Sequence, residues 1–198
     1  MKKLQFLNTL FFIAFATFFT MQASAHSYHY EMQVTNVLQT NNKGQLEALK
    51  LSFLYDGDVS NVMLQDEKNL NKLGKTLIRD LGKLGYFTQI KLNDKVLNTQ
   101  KAQNIKLEKI AIKGEEGKYD ALQLNFTLPL KHPANIAKNS EIALAHEDPT
   151  DAAILYYENS EHIFVDGSLK SQCKSSVKEK GKFEEGEFPQ IIKVNCKS

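Results

Sequence analysis

Alternating apolar and polar residues predict β-strands along most of the chain. The clearest alternation spans 122–128, where every second side chain is apolar and the residues between them are polar. Shorter alternations occur at 30–34 and 49–55. This pattern is typical of strands that bury one face and wet the other. Many such strands predict a mainly β, antiparallel, sandwich-like fold, with an α+β arrangement as the alternative.

One helix is predicted within this series of strands, near 66–84. Apolar residues recur there every three or four positions and form a single stripe: Leu70, Leu73, Leu77, Leu81 and Leu84. Asp66 is the expected N-cap, and Gly85 stands where the helix should end. The preceding stretch "YDGDVSN" is rich in turn residues and is interpreted as a loop.

Two hairpins and one irregular segment complete the pattern. The first hairpin is predicted to turn at Asn93-Asp94 and the second at Asn159-Ser160. The segment 174–189 is charged and poor in apolar residues. It is predicted to be a flexible excursion from the domain.

The N-terminus has the pattern of a secretory signal peptide. Lys2 and Lys3 precede an apolar run at 10–19, and small residues follow at Ala23-Ser24-Ala25. The run is too short for a membrane-spanning helix, and no later run is long enough. We expect cleavage after Ala25, which leaves 26–198 as one exported, periplasmic, β-rich domain without a membrane span.

Cleavage would leave the mature chain without net charge. The full sequence has 25 basic and 23 acidic residues, and the predicted signal peptide removes two lysines. A neutral protein has no overall field that attracts nucleic acid or anionic lipid. We therefore expect no nucleic-acid partner.

The chain contains two cysteines, Cys173 and Cys196. In an oxidising compartment, an even pair favours a disulfide, and two free thiols are the alternative.

Histidine carries the candidate chemistry, because the sequence shows neither a glycine-rich phosphate loop nor a serine elbow between glycines. Cleavage after Ala25 would make His26 the first residue, so its α-amine and ring nitrogen could chelate one transition metal ion. His29 follows three residues later, and an extended strand would point the two rings to opposite faces. Both could bind one ion only if the first residues curl. The alternative is a frayed N-terminus with two exposed histidines.

His146 is the next candidate, with Asp148 as a nearby oxygen ligand. It shares a predicted strand face with Ile142 and Leu144, so its ring should be largely buried. A hydrogen-bonded core histidine is the alternative to a metal ligand. His162 is interpreted as a surface residue opposite Tyr157 on the second hairpin.

Several short motifs, taken in order, resemble those of a known family. They are "AHSYHYEM", "LSFLYDGDVSNVMLQD" with Asp56 and Ser60, "GYFTQIKLND", "HEDPTDAAILYY", and Cys173. The chain is similar to exported bacterial proteins of unknown function that are labelled as the periplasmic component of an uncharacterised ABC-type transport system. Members often accompany nickel/cobalt-type membrane transporters. The resemblance implies a metal-handling context for His26 and His29.

Three functional hypotheses follow. The first is a periplasmic metal-binding accessory protein that serves an inner-membrane permease for nickel, cobalt or zinc, with His26, His29, His146 and Asp148 as candidate ligands. The second is a metal-independent module that docks on a permease through the charged 174–189 segment. The third is a copper-dependent oxidative enzyme that uses the N-terminal histidine. We expect the protein not to be an enzyme.

Overall fold

The computed structural model describes residues 29–66, 69–114, 117–137, 139–179 and 190–197. The predicted signal peptide, the cleavage site at Ala25 and His26 lie outside the described residues. The described segments contain eleven strands: β1 (Tyr30–Thr40), β2 (Leu46–Tyr55), β3 (Thr88–Leu92), β4 (Lys95–Val96), β5 (Gln103–Gly114), β6 (Gly117–Ala134), β7 (Ser140–His146), β8 (Ala153–Tyr156), β9 (Ile163–Val165), β10 (Cys173–Glu179) and β11 (Gln190–Cys196). The same segments contain two α-helices: α1 (Gly57–Asp66) and α2 (Leu70–Lys83).

These strands form two sheets that share one core. The six-stranded sheet has the order β5-β6-β2-β1-β8. The sixth strand, β9, also pairs with β1, further along the same edge than β8. The five-stranded sheet has the order β10-β11-β7-β3-β4. Phe53 of the first sheet packs edge-on against Phe126 at 5.3 Å and against His146 of the second sheet at 6.2 Å. The mainly β prediction is confirmed.

The second predicted hairpin is wrong. Both β8 and β9 pair with β1 in parallel, β8 beside residues 30–33 and β9 beside residues 36–38. A short 3-10 turn at Ser160–His162, capped by the Asn159 side chain, carries the chain from one strand to the next along the same edge. The turn residues were recognised, but alternation cannot tell whether the flanking strands pair with each other or with a third strand.

The helical region contains two helices instead of one. Helix α1 occupies the stretch interpreted as a loop, and Asp56 caps it by accepting the Val59 N–H at 2.8 Å. Helix α2 starts after Asn69, whose side chain accepts the Lys72 N–H at 3.0 Å, so the predicted N-cap at Asp66 is wrong. The same residue types favour turns and helix N-caps, which explains why a loop was predicted where α1 lies.

The expected helix end at Gly85 and the first hairpin are confirmed. Gly85 has a φ of +64°, and the hairpin residues Asn93 and Asp94 have φ of +48° and +65°. Strands β3 and β4 pair on either side of that turn. Positive φ at both central residues is the backbone of the tight turn that the sequence predicted.

The C-terminal strands are stapled to each other. Cys173 and Cys196 form a disulfide between directly paired positions of β10 and β11, as predicted. The segment expected to be an excursion at 174–189 begins as part of β10, and 180–189 lie outside the described residues. Backbone pairing with β11 thus orders a stretch that has few apolar side chains.

Helix α2 covers the β5 side of the fold. It buries Gly74, Ile78 and Leu81, and a Cβ on Gly74 would stand 2.9 Å from the Cβ of Leu107 in β5. Glycine is therefore required for this close approach. Among the helices that the structure describes, none is long and apolar enough to cross a bilayer.

Candidate functional site

The candidate site lies where β1 begins, directly after His29. Tyr30 opens the strand, and its N–H donates to the carbonyl of Ala152 at 3.2 Å. Its ring stacks on Tyr55 with ring centres 6.3 Å apart. The first strand therefore begins beside the loop between β7 and β8.

The Asp148 carboxylate organises that loop. One oxygen accepts the N–H and the hydroxyl of Thr150 at 2.8 and 2.7 Å. The other accepts the N–H groups of Ala152 and Ala153 at 3.2 and 3.0 Å. Four donors thus hold a buried carboxylate, and the loop they shape sets β8 alongside β1.

Asp56 and Ser60 join α1 to both neighbouring strands. The second carboxylate oxygen of Asp56 accepts the Glu31 N–H of β1 at 2.9 Å, in addition to the helix cap. The buried Ser60 hydroxyl donates to the Tyr55 carbonyl at 3.3 Å and accepts the Leu122 N–H of β6 at 2.9 Å. These side chains satisfy backbone groups at the point where β2 has ended and can no longer pair.

The carboxylates of Asp148 and Asp56 act electrostatically on Tyr30 at the start of β1. Burial raises the pKa of Tyr30, and the charges of Asp148 and then Asp56 raise it further. The phenol therefore lies within the field of both carboxylates. A cation bound close to this phenol would be stabilised by the same charges.

A chain of hydrogen bonds crosses the core behind this site. The Thr88 hydroxyl donates its one proton to the Tyr86 carbonyl at 2.8 Å, so its oxygen accepts from Nδ1 of His146 at 3.1 Å. The Nε2 atom is then unprotonated and accepts from the Tyr157 hydroxyl at 2.8 Å. The Tyr157 oxygen accepts in turn from the Asn36 amide at 2.6 Å.

Bonds at both ring nitrogens commit His146 to the core. Its side chain is buried, and burial lowers the pKa of His146 to about 3, against a smaller opposing effect of the Phe87 carbonyl. A neutral ring with both nitrogens engaged has no lone pair left for a metal ion. The expected burial is confirmed, and we leave His146 out of the metal site that we propose below.

Asp148 contributes charge and no open oxygen. With four protein donors on its two oxygens, a metal–oxygen bond would have to displace a backbone N–H. We therefore treat Asp148 as a source of negative field and not as a ligand.

The backbone is left-handed where the hydrogen-bonded chain meets α2. Gly85, Tyr86 and Phe87 have φ of +64°, +56° and +53° in succession. Aromatic residues rarely adopt this conformation. The Tyr86 hydroxyl anchors the turn by accepting the Ala102 N–H at 3.0 Å. The motif "GYFT" thus orients the Tyr86 carbonyl towards Thr88.

The remaining described histidines lie elsewhere. His162 is half-buried, with Nδ1 3.1 Å from the Thr35 hydroxyl and Nε2 3.4 Å from the Glu158 carboxylate. His132 is exposed in β6. Among the described residues, no group of three or more histidine, cysteine, aspartate or glutamate side chains is placed to hold a metal ion.

A model of a family described as "Protein of unknown function (DUF1007)" matches residues 11–185. The chain belongs to this family. No curated protein matches the chain. The motif residues that resemble the family have structural roles here. Asp56 and Ser60 connect α1 to the sheet by hydrogen bonds, and Asp148 closes the β7–β8 loop.

The sequence analysis did not predict two members of the hydrogen-bonded chain, Tyr157 and Asn36. Tyr157 was expected to face His162 but is buried against His146. Asn36 continues the buried phase of Met32 and Val34 in β1. A polar residue in the apolar phase of a strand is the signal that would have predicted a buried partner.

Proposed function

We propose that the exported protein binds a divalent transition metal ion at its N-terminus and serves a nickel, cobalt or zinc transporter in the periplasm. The α-amine and ring of His26 and the ring of His29 would supply the nitrogen ligands. The observation that supports the proposal is the position of His29, which directly precedes Tyr30, whose phenol lies near the charges of Asp148 and Asp56.

The chemistry of this end of the domain suits such an ion. Imidazole nitrogens are the usual ligands of nickel, cobalt and zinc, and an α-amine titrates near neutral pH, so both bind with little cost of deprotonation. The two carboxylates are held in place by backbone N–H groups and add attraction without occupying coordination positions. An incompletely coordinated ion can then pass to another protein, which is what an accessory protein of a transporter requires.

Titration of metal ions into protein that begins at His26 tests the proposal. Nickel, cobalt and zinc should each be compared in the wild type and in the His26→Ala, His29→Ala double variant. The matched control is His132→Ala, His162→Ala, which removes the same number of imidazoles elsewhere. We expect only the N-terminal double variant to lose affinity, by at least about tenfold because two of the ligands are gone. Equal affinity in wild type and N-terminal variant would refute the proposal.

A metal-independent docking module is the second candidate, and the outer face of the six-stranded sheet favours it. Phe164 is 52 % exposed there, beside β1. On β5 and β6 of the same sheet, polar side chains bond to one another, with Asn125 accepting from Gln123 at 3.0 Å and donating to Glu108 at 2.9 Å. A complex with a permease that survives a chelator but is lost on Phe164→Ser would support this candidate.

A further inference from the structure

Helix α2 presents a row of cations to solvent. Lys72, Lys75, Arg79 and Lys83 recur every three or four residues and are all exposed. This spacing places them on one side of the helix. The side chains of Arg79 and Lys83 are 65 % and 69 % exposed, and Asp80 is the single acidic residue of α2. We call this surface the basic face of α2.

The packing of α2 fixes the direction of this face. The opposite side buries Ile78 and Leu81, and Gly74 sits against Leu107 of β5 with no space for even a methyl group. The helix cannot turn its cations towards the core without losing these contacts. The basic face is therefore a permanent part of the surface.

A shallow groove runs over the same face. Its volume is about 480 Å³. It is lined by Asn69, Asn71, Lys72, Lys75, Thr76 and Arg79. Amide, hydroxyl, ammonium and guanidinium groups can all donate hydrogen bonds to phosphate oxygens. The lining therefore suits an anionic phosphate group.

Overall neutrality does not cancel a local patch. Charges separated by more than a Debye length of about 8 Å are largely screened at physiological ionic strength. An anion close to α2 therefore responds mainly to the charges of that helix face. Asp80 pairs with Arg79 and Lys83, but exposed ion pairs of this kind are weak and can exchange partners.

We propose that the basic face of α2 docks the exported protein on a bilayer surface rich in anionic phospholipid. Several basic side chains on one helix face are the usual electrostatic means of binding such a surface. The phosphate groups of the lipids would occupy the groove and the positions of Lys72, Lys75 and Arg79. This inference does not rest on the metal proposal, because no residue of the N-terminal site takes part.

Vesicle sedimentation tests the inference directly. The exported protein is mixed, in the presence of a chelator, with vesicles of phosphatidylcholine alone or with about 30 % phosphatidylglycerol. The test variant is Lys72→Gln, Lys75→Gln, Arg79→Gln, which keeps helix propensity while removing three charges. The matched control, Lys43→Gln, Lys50→Gln, Lys170→Gln, removes three exposed lysines away from α2.

The wild type and the control variant should sediment with the anionic vesicles, and raising the salt should release them. The α2 variant should partition at least about tenfold more weakly. Equal binding to both kinds of vesicle, or an equal loss in the two variants, would overturn the proposal. Binding to protein-containing envelope vesicles but not to protein-free anionic vesicles would also overturn it, and would assign the face to an acidic protein partner.

Discussion

The Tyr157 hydroxyl donates to Nε2 of His146 at 2.8 Å across the interface between the two sheets. Tyr157 directly follows β8 of the six-stranded sheet, whereas His146 ends β7 of the five-stranded sheet. Each side chain also bonds within its own half of the fold, to Asn36 and to Thr88. The bond between them therefore gives the Tyr157 hydroxyl proton an acceptor and the Nε2 lone pair of His146 a donor inside the core.

Tyr157→Phe should destabilise the protein by about 1–3 kcal/mol, because it leaves Nε2 of His146 and the Asn36 amide unpaired in the core. The neighbouring Tyr156 lies half-buried on the outer face, so Tyr156→Phe is the matched control and should change stability little. Urea unfolding of both variants measures the difference. Equal midpoints for the two variants would show that the core bond adds no stability.

His146 should make stability fall as the solution becomes acidic. Its pKa is lowered to about 3 in the folded protein, against an ordinary value of 6.5. Between these values the unfolded chain binds a proton that the folded protein does not. Stability therefore decreases as pH falls from 6.5 to 3, by about 1.4 kcal/mol per pH unit from this group.

The pH effect is measured by urea unfolding in chelator at several pH values. Replacement by His146→Gln should lower stability at neutral pH but flatten the acid slope, since glutamine does not titrate. The same slope in wild type and variant would mean that other groups cause the acid sensitivity.

Asp148→Asn should loosen the β7–β8 loop. An amide keeps one acceptor oxygen, but its NH₂ group would face N–H donors that the wild-type carboxylate accepts. We expect a loss of about 1–3 kcal/mol. Asp151 is exposed in the same loop at a φ of +57°, which asparagine tolerates, so Asp151→Asn is the control. Thermal unfolding of the two variants decides, and comparable losses would contradict a specific role of Asp148.

Ser60→Ala should cost about 1–3 kcal/mol, because the Leu122 N–H loses its acceptor beside the end of β2. Ser52→Ala on the half-buried outer face of β2 serves as the control. Hydrogen exchange at Leu122 provides a local readout, and faster exchange is expected only in the Ser60 variant. Unchanged protection of the Leu122 amide would show that Ser60 does not hold α1 against β6.

Much of the fold follows from local patterns that report burial. The alternation at 122–128 correctly predicted the interior strand β6, with Leu122, Leu124 and Leu128 fully buried. The leucine spacing likewise marked α2, because a helix stripe and its buried face have the same period. Cys173 and Cys196 were paired correctly because a domain with two cysteines allows one intramolecular disulfide.

Contacts between distant segments of the chain could not be predicted from local patterns. The parallel pairing of β8 and β9 with β1 depends on contacts between distant segments, on which alternation is silent. The role of His146 was left open for the same reason, since its partners Thr88 and Tyr157 come from other parts of the chain. Only the apolar face that it shares with Ile142 and Leu144 indicated burial.

We propose a metal site whose first ligand is the α-amine that cleavage after Ala25 would create on His26. The most direct test is calorimetric titration of nickel, cobalt or zinc into two proteins that differ only at the N-terminus, one starting at His26 and one with a single alanine before it. The added residue keeps both imidazoles but moves the amine away from the first ring. We expect the first protein to bind the ion tightly and the second to bind it much more weakly. Equal binding by the two proteins would show that the α-amine of His26 is not a ligand.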